Sequence, residues 1–348
     1  MNKSLANLII ASLLTVFLCI SCSGEKSVSD EEVKSEEPLI KHHYAEPHMG
    51  TIVRIVFYSS DKKQADQLAR QCFNRVKELN AKLSDYLPDS EVSQLSEKPI
   101  GQPHGVSDEL LDIMIFGQNV SEKTNGAFDI TFGKHSQRWR QKSNKTQTQT
   151  VNPEIEKSVL TSYKDLIIDR KNKWVTLKKP LKIDLGAIGK GYIADEVMKL
   201  IQDSNITRAA VIIGGETVLA DPPPEKKGWS IGIENPEKKI FGKLILRNTA
   251  LSTSGDSYQF FENDGDPTKR EAHLIDPKTR KGKSNRLNVT TIAPTAMQAD
   301  AWATALRILP TKKALDLANQ QPNLEALFIP IQGTITKTEN FPTISEIK

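Results

Sequence analysis

Cysteine is scarce in this 348-residue sequence, which contains only Cys19, Cys22 and Cys72. The first two close an apolar N-terminal run, so a single thiol is left in the rest of the chain and no internal disulfide is expected there. The spacing of cysteine and histidine does not suit a zinc site either. Because Cys72 lies in a helix-like pattern of apolar residues, we expect a buried and unreactive thiol.

A strong surplus of one charge is also missing, since 47 basic and 43 acidic residues give a net charge of +4. Basic residues form no stripe, and aromatic residues make up only 6% of the chain. Nucleic-acid binding is therefore not expected, because it needs a basic surface. The sequence also lacks a Gly-x-Ser-x-Gly nucleophile elbow, which leaves a Ser-His-Asp hydrolase unsupported.

The longest apolar run, from Leu5 to Cys19, lies at the N-terminus. It is too short for a membrane-spanning helix and is typical of an export signal. The residues around Cys22 resemble a bacterial lipoprotein signal, in which cleavage before the cysteine leaves it to carry lipid; an ordinary secretory signal is the alternative. We predict a signal peptide over 1–21, a polar tether over 22–40 and a folded domain over 41–348.

Apolar periodicity predicts helices and strands in an irregular order. The predicted helices cover 62–83, 108–123, 297–308 and 311–319, and another follows the glycines near residue 190. The predicted strands cover 51–58, 209–213 and 289–292, short strands around Asn172, a meander over 229–251 and a hairpin over 326–331 and 333–337. We expect residues 141–153 to form an exposed loop. Because the strands cluster instead of alternating one by one with helices, the predicted fold class is α+β.

A glycine-rich segment over 182–195 is the most informative part of the sequence. A predicted short strand ends at Asp184, three glycines follow up to Gly191, and an amphipathic helix begins. Backbone N–H groups, a helix N-terminus and the Lys190 side chain would together bind a phosphate. The alternative is a tight turn in which glycine supplies a positive φ.

Neither standard phosphate motif is clearly present in this segment. A Walker A loop would need glycine at the position of Asp184 and a hydroxyl residue in place of Gly191. Residues 189–194 do fit the Gly-x-Gly-x-x-Ala fingerprint of dinucleotide-binding folds, and Glu216 lies roughly where a ribose-binding acid is expected. A lone fingerprint is a weak signal, so a Rossmann oxidoreductase stays an alternative that the irregular element order weakens.

Three further groups of residues are candidates for chemistry. Asp300 and Thr304 lie one helical turn apart, so their oxygens would face the same way and suit Mg²⁺; alternatively, Asp300 is an acid in the first turn of a helix. His273, three residues before Asp276, suits a general base or a structural histidine. Small hydroxyl residues over 251–256 line either a ligand or a solvent-facing turn. The histidines at 42, 43 and 48 are placed at the edge of the tether.

Taken together and in this order, eight segments resemble the ApbE family of flavin transferases. The matching segments are 49–51, 83–86 with 89–93, 126–131, 184–195, 214–216, 251–256, 273–277 and 299–304. The resemblance implies a single large α+β domain with a T-fold-like core, in which mixed or antiparallel sheets are flanked by helices. One departure is Arg280, which stands where the family usually has glycine, so the turn after His273 is expected to differ.

The resemblance also implies a function, which is Mg²⁺-dependent transfer of FMN from FAD to a Ser or Thr hydroxyl of a target protein, with release of AMP. The implied acceptors are flavin-carrying subunits of membrane electron-transfer complexes. The enzyme itself would be an exported protein, anchored to the membrane through lipid on Cys22 and facing the periplasm. The alternatives are a Mg²⁺-dependent FAD pyrophosphatase and a non-enzymatic flavin-binding lipoprotein.

Roles for individual residues follow from the same resemblance. The implied FAD contacts are Met49, Tyr86, Ala127, Phe128, Asp129, Asp184, Lys190, Ser254, Gly255, Asp256, His273 and Ile275. The implied Mg²⁺ ligands are the carbonyl of Ala187 and the side chains of Asp300 and Thr304. His273 would be the catalytic base, and Lys190 would act on the phosphates.

Overall fold

The computed structural model describes residues 38–143, 161–262 and 270–346. The described residues all belong to one compact unit. The predicted signal peptide, the lipidation site Cys22 and nearly all of the predicted tether lie outside the described residues. Among the described residues, no helix has the length and apolarity needed to cross a membrane.

The described part of the chain contains helices and short strands in an irregular order. The helices are α1 Lys62–Leu83, α2 Glu91–Ser96, α3 Asp108–Lys123, α4 Gly133–Ser143, α5 Gly189–Asp203, α6 Ala296–Ile308 and α7 Thr311–Asn319. The strands in the first half are β1 Ile40–His48, β2 Thr51–Ser59, β3 Pro103–Gly105, β4 Leu166–Asp169, β5 Trp174–Leu177, β6 Ala209–Ile213 and β7 Glu216–Leu219. Those that follow are β8 Trp229–Glu234, β9 Ile240–Leu246, β10 Thr249–Ser254, β11 Phe260–Glu262, β12 Arg270–Ala272, β13 Ile275–Asp276, β14 Lys281–Gly282, β15 Leu287–Ala293, β16 Glu325–Pro330 and β17 Thr336–Lys337.

An eight-stranded sheet in the order β1-β2-β6-β7-β10-β15-β16-β17 forms the centre of the domain. Its neighbouring strands all pair antiparallel. Helices α1, α5 and α6 pack on one face, where Val211 and Val289 belong to the main core. The β8–β9 ribbon contributes Ile233 and Leu244 to a second core with Ala210 of the sheet. Because apolar residues cover both faces, all seven residues of β15 are buried.

This architecture confirms the predicted α+β class, with antiparallel sheets and flanking helices in one domain. It contradicts the Rossmann alternative, because β6 pairs antiparallel with both of its neighbours. The parallel pairing that a dinucleotide-binding βαβ unit requires is therefore missing at the strand after the fingerprint. Glu216 begins β7, and its side chain is buried instead of lining a ribose site.

Several element boundaries agree with the predictions to the residue. Helices α1, α3 and α7 cover 62–83, 108–123 and 311–319 as expected, and the terminal β16–β17 hairpin is present. Polar N-cap side chains define where α1 and α3 begin. Asp61 accepts hydrogen bonds from two backbone N–H groups of α1, and Ser107 accepts one from Leu110 of α3.

Three local predictions are wrong. No strand ends at Asp184, since Lys182 forms only an isolated bridge with Phe132. The three histidines assigned to the tether edge lie in β1, where His42 is buried. Residues 141–143 of the predicted loop end α4, and residues 144–153 lie outside the described residues.

Candidate active site

The candidate site lies where two hairpin turns meet the start of α5. Met49 and Gly50 form the β1–β2 turn, and both have a positive φ, of 51° and 68°. Such a two-residue turn fits the right-handed twist of the strands, but a left-handed conformation costs a non-glycine residue about 1–2 kcal/mol. The β6–β7 turn begins at Gly214, whose N–H donates to the carbonyl of Ile52 at 3.4 Å. The predicted FAD contact Met49 therefore lies beside the start of β7.

The start of α5 does not work as a glycine turn with positive φ, so that interpretation is wrong. Gly186, Gly189 and Gly191 all have φ outside the left-handed region. Gly191 is required for a different reason, because a Cβ there would lie 2.2 Å from the carbonyl oxygen of Ala296. The absence of a side chain lets α5 and α6 touch through their backbones.

Asp300 reaches the site through this helix contact. The N–H of Gly191 donates to Asp300 Oδ2 at 3.1 Å. Asp195 of α5 fixes the start of α6, because its carboxylate accepts hydrogen bonds from the N–H groups of Ala296 and Met297 at 2.7 and 2.8 Å. The alternative reading of Asp300 as a first-turn acid is wrong, since it is the fifth residue of α6 and the first turn contains no acid.

Lys190 meets two buried carboxylates beside α5. Its Nζ lies 3.3 Å from Glu216 Oε1 and 3.9 Å from Asp300 Oδ2, and it donates to the carbonyl of Gly186 at 3.1 Å. Burial alone would lower the pKa of Lys190, but the charges of Asp300 and Glu216 outweigh it and raise that pKa. Lys190 is therefore a permanent cation beside two carboxylates.

Two opposing effects act on the pKa values of the two carboxylates: burial raises them, and the charge of Lys190 lowers them. Glu216 and Asp300 are only 5% and 3% exposed. Burial raises the pKa of Glu216 to about 7, although the Lys190 charge works in the opposite direction. Burial raises the pKa of Asp300 as well. One lysine does not fully neutralise two acids in so dry an environment, so a further cation would stabilise the group.

The oxygen set around Asp300 fits a hard cation such as Mg²⁺. Glu216 Oε2 is buried without a hydrogen-bond partner among the described residues, and Thr304 lies one turn after Asp300 on α6. Ala187 lies in the turn before α5 and has a carbonyl to offer. No group of three or more His, Cys, Asp or Glu in the described ranges could hold a metal ion, so a cation here would depend on mixed oxygen ligands.

His273 is arranged as a neutral imidazole. Its Nδ1 lies 3.1 Å from the carbonyl oxygen of Gln259, which can only accept, so Nδ1 carries the proton; no described residue hydrogen-bonds to Nε2, which is then the basic nitrogen. Burial, together with the nearby charges of Lys190 and Arg307, lowers the pKa of His273 to about 4. Asp276 is not its partner; that carboxylate accepts from Lys278 N at 2.9 Å.

The segment after β10 is anchored by arginine. Asp256 is fully buried, and its Oδ2 accepts from Arg270 Nε at 3.1 Å, while Arg307 lies 4.0 Å from its Oδ1. Gly255 packs tightly, since a Cβ there would lie 2.2 Å from Asn288 Oδ1. The Asp256 carboxylate thus faces protein cations, while Ser254 and Gly255 stay partly exposed.

The predicted FAD contacts at 127–129 lie in less open surroundings. Ala127 and Phe128 belong to the main core. Asp129 supports its own loop, because its carboxylate accepts from Thr131 N at 2.8 Å and Tyr163 N at 3.0 Å. Ile275 begins the short strand β13 two residues after the histidine and is partly buried.

Tyr86 and Asp184 are joined by an arginine that the sequence analysis missed. Arg140 of α4 forms a salt bridge with Asp85, and its Nη2 lies 3.9 Å from Asp184 Oδ2. Its guanidinium lies over the Tyr86 ring, 4.1 Å from the centroid. These contacts of Arg140 are all with residues distant in sequence, so only the folded structure reveals them. The one local signal was Trp139, an apolar residue in a polar segment, which indicates that α4 packs against the rest of the protein.

Comparison with known proteins agrees with this geometry. A model of the ApbE family matches residues 49–328, which include all the predicted site residues except Cys22. The chain belongs to the ApbE family. It is 31% identical over 288 residues to a Haemophilus influenzae protein named FAD:protein FMN transferase, covering 78% of this chain and 82% of that protein.

Solved structures of ApbE proteins have the same fold. The apo flavinyl transferase ApbE of Pseudomonas stutzeri superposes with a TM-score of 0.77 at 26% identity, covering 87% of this chain and 96% of that one. The ApbE protein of Thermotoga maritima gives a TM-score of 0.76 at 28% identity, covering 87% and 98% of the two chains. The structural likeness to ApbE proteins therefore covers 87% of this chain.

Proposed function

We propose that this protein transfers FMN from FAD to a Ser or Thr hydroxyl of a partner protein and releases AMP. Support comes from the family and from relatives that carry the name FAD:protein FMN transferase. The observation that carries the proposal for this chain is the buried group at the start of α5, where Lys190 meets Glu216 and Asp300. A lysine and surplus acidic charge beside a helix N-terminus suit a pyrophosphate bound together with a cation.

In the proposed reaction the acceptor oxygen attacks the phosphorus on the FMN side of the FAD pyrophosphate. The P–O bond to the AMP half breaks, and AMP leaves with the bridging oxygen. His273 Nε2 accepts the proton of the acceptor hydroxyl, because its Nδ1 already donates to Gln259. Lys190 stabilises negative charge on the pyrophosphate oxygens. The products are AMP and a phosphoester that links FMN to the partner, without a covalent enzyme intermediate.

We propose that Asp300, Thr304 and the carbonyl of Ala187 hold Mg²⁺ for this reaction. When bound, the ion neutralises charge on phosphate oxygens. The chain's contribution is to keep the ligands in place, through the Gly191 N–H on Asp300 and through Asp195 at the start of α6. Glu216 Oε2, which has no hydrogen-bond partner in the described part of the chain, supports a cation at this point.

We also propose that the protein is an exported lipoprotein anchored through Cys22 and facing the periplasm. The support is the N-terminal sequence, in which an apolar run ends at a cysteine and a polar stretch follows. Acceptors in this location would be flavin-carrying subunits of membrane electron-transfer complexes. Metabolic labelling with a radioactive fatty acid tests the anchor, since Cys22→Ala should abolish incorporation.

The activity is tested by incubating the protein with FAD and Mg²⁺, with and without an exported flavoprotein candidate. AMP release and in-gel flavin fluorescence are measured together, and a fluorescent acceptor band with AMP supports transfer. AMP at the same rate without any labelled protein, across a panel of acceptors, would support the pyrophosphatase instead. Bound FAD without AMP would support a flavin-binding lipoprotein.

A matched pair of variants separates the site from the rest of α5. Lys190→Ala should slow AMP release and weaken FAD binding, because the cation beside Glu216 and Asp300 is lost. Lys199→Ala removes an exposed lysine from the same helix and should change neither. Unchanged FAD affinity and rate in a folded Lys190→Ala variant would contradict the phosphate role.

A further inference from the structure

Arg140 of α4 holds together three residues from two other parts of the chain. Asp85 and Tyr86 follow α1, and Asp184 precedes α5. Two of the three, Tyr86 and Asp184, are the side chains for which an FAD contact is expected. Arg140 lies outside the eight segments on which the sequence resemblance was based, although the family model spans it.

The contact between Arg140 and Asp85 is a two-point contact. Nη1 of Arg140 lies 3.3 Å from Asp85 Oδ1, and Nη2 contacts Oδ2. The Asp85 side chain is 3% exposed, so this carboxylate depends on the guanidinium for its neutralisation. Such a fork fixes the plane of the guanidinium as well as its position.

The same guanidinium serves Asp184 and Tyr86. Asp184 Oδ2 lies 3.9 Å from Nη2, while its other oxygen accepts from Gly186 N at 2.8 Å. The guanidinium carbon lies 4.1 Å from the centre of the Tyr86 ring, and 71% of Tyr86 is exposed. One face of the ring is therefore held by a fixed cation, while the residue as a whole is open to solvent.

An exposed tyrosine without a partner would be free to change its rotamer, and ordering it on binding would cost free energy. We propose that Arg140 is a positioning residue, which holds the Tyr86 ring and the Asp184 carboxylate in the orientation that binds an aromatic ring of FAD. The inference rests on the proposed function, since FAD is the ligand. Arg140 itself need not touch the substrate.

Arg140→Lys is the informative change, because it keeps a positive charge for the buried Asp85 but loses the planar fork and its stacking on the ring. FAD affinity is measured by equilibrium dialysis with the full-length protein, for the single variants Arg140→Lys and Tyr86→Ala and for the double variant. We expect about a fivefold weakening from Arg140→Lys when Tyr86 is present, and a clearly smaller effect when it is alanine. Unfolding temperatures confirm that each variant is folded.

Arg138→Lys is the matched control on the same helix. Arg138 is partly exposed and makes no hydrogen bond or ion pair with the described residues, so its substitution should leave FAD affinity unchanged. No effect of Arg140→Lys in either Tyr86 background would overturn the positioning role, and equal effects in both would overturn the positioning of Tyr86, while the proposed function stands. Failure of the unaltered protein to bind FAD would overturn both.

Discussion

Replacing Gly191 by alanine tests how α5 and α6 bring the acidic group together. The added Cβ would lie 2.2 Å from the carbonyl oxygen of Ala296 and 2.8 Å from the amide nitrogen of Met297. Both are backbone atoms, so no side-chain rotation relieves the clash and the two helices must separate. Overpacking of this kind costs about 1–3 kcal/mol of the free energy of unfolding.

Gly189→Ala is the matched control two residues earlier in α5. The nearest atom to a Cβ there is Leu185 Cβ at 3.9 Å, which is an ordinary contact. Since φ is outside the left-handed region at both glycines, the backbone conformation suits alanine equally well. We expect Gly189→Ala to be neutral or to stabilise the protein by up to about 1 kcal/mol, because alanine restricts the unfolded chain.

Urea unfolding followed by circular dichroism measures the difference between the two variants. The free energy of unfolding should differ by about 1–4 kcal/mol, with Gly191→Ala the less stable. The Gly191 variant should also need more Mg²⁺ for AMP release, since it displaces the N–H that orients Asp300. Equal unfolding midpoints and slopes for the two variants would refute the tight helix contact and the positioning argument built on it.

Three further predictions concern individual side chains. Asp300→Asn should raise the Mg²⁺ concentration needed for AMP release by about tenfold or more and remove any thermal stabilisation by Mg²⁺; a Mg²⁺ titration identical to that of the unaltered protein would contradict the metal role. The pKa of His273 is about 4 in the folded chain against about 6.5 unfolded, so the unfolded state binds the extra proton and the free energy of unfolding should fall as pH drops through that window. His273→Gln should lack this component in urea titrations, and identical pH profiles would refute it. Burial raises the pKa of Cys72 to about 12, so maleimide labelling mapped by peptide mass spectrometry should modify it only in denaturant; rapid labelling of the folded protein would show that it is accessible.

Helices were the part of the fold that the sequence predicted best. The period of α1 and α3 is continuous and each helix begins after a capping side chain, so local information defines their starts. Strand β1 was missed because its outward positions are polar and only one residue, His42, is buried. Its place depends on pairing with β2, which is a tertiary effect.

The candidate site was predicted in part. Lys190 was expected from the glycine-rich segment and Asp300 from its spacing to Thr304, before the family resemblance added to both; the structure brings them within 3.9 Å of each other. Glu216 was given the wrong role, because its meeting with Lys190 requires the β6–β7 turn to pack beside α5. Arg140 had no local signal at all, since its partners are more than 40 residues away along the chain. Contacts between residues so far apart in the sequence arise from packing, and no single segment predicts them.

The central claim is that the flavin phosphate moves to a protein and not to water. The most direct measurement counts AMP released and FMN attached to the acceptor in the same reaction, with the attached FMN located by peptide mass spectrometry. The account predicts one AMP for each FMN, bound through a phosphoester to a Ser or Thr hydroxyl. AMP accompanied only by free FMN, with an acceptor that other flavin transferases do modify, would contradict it.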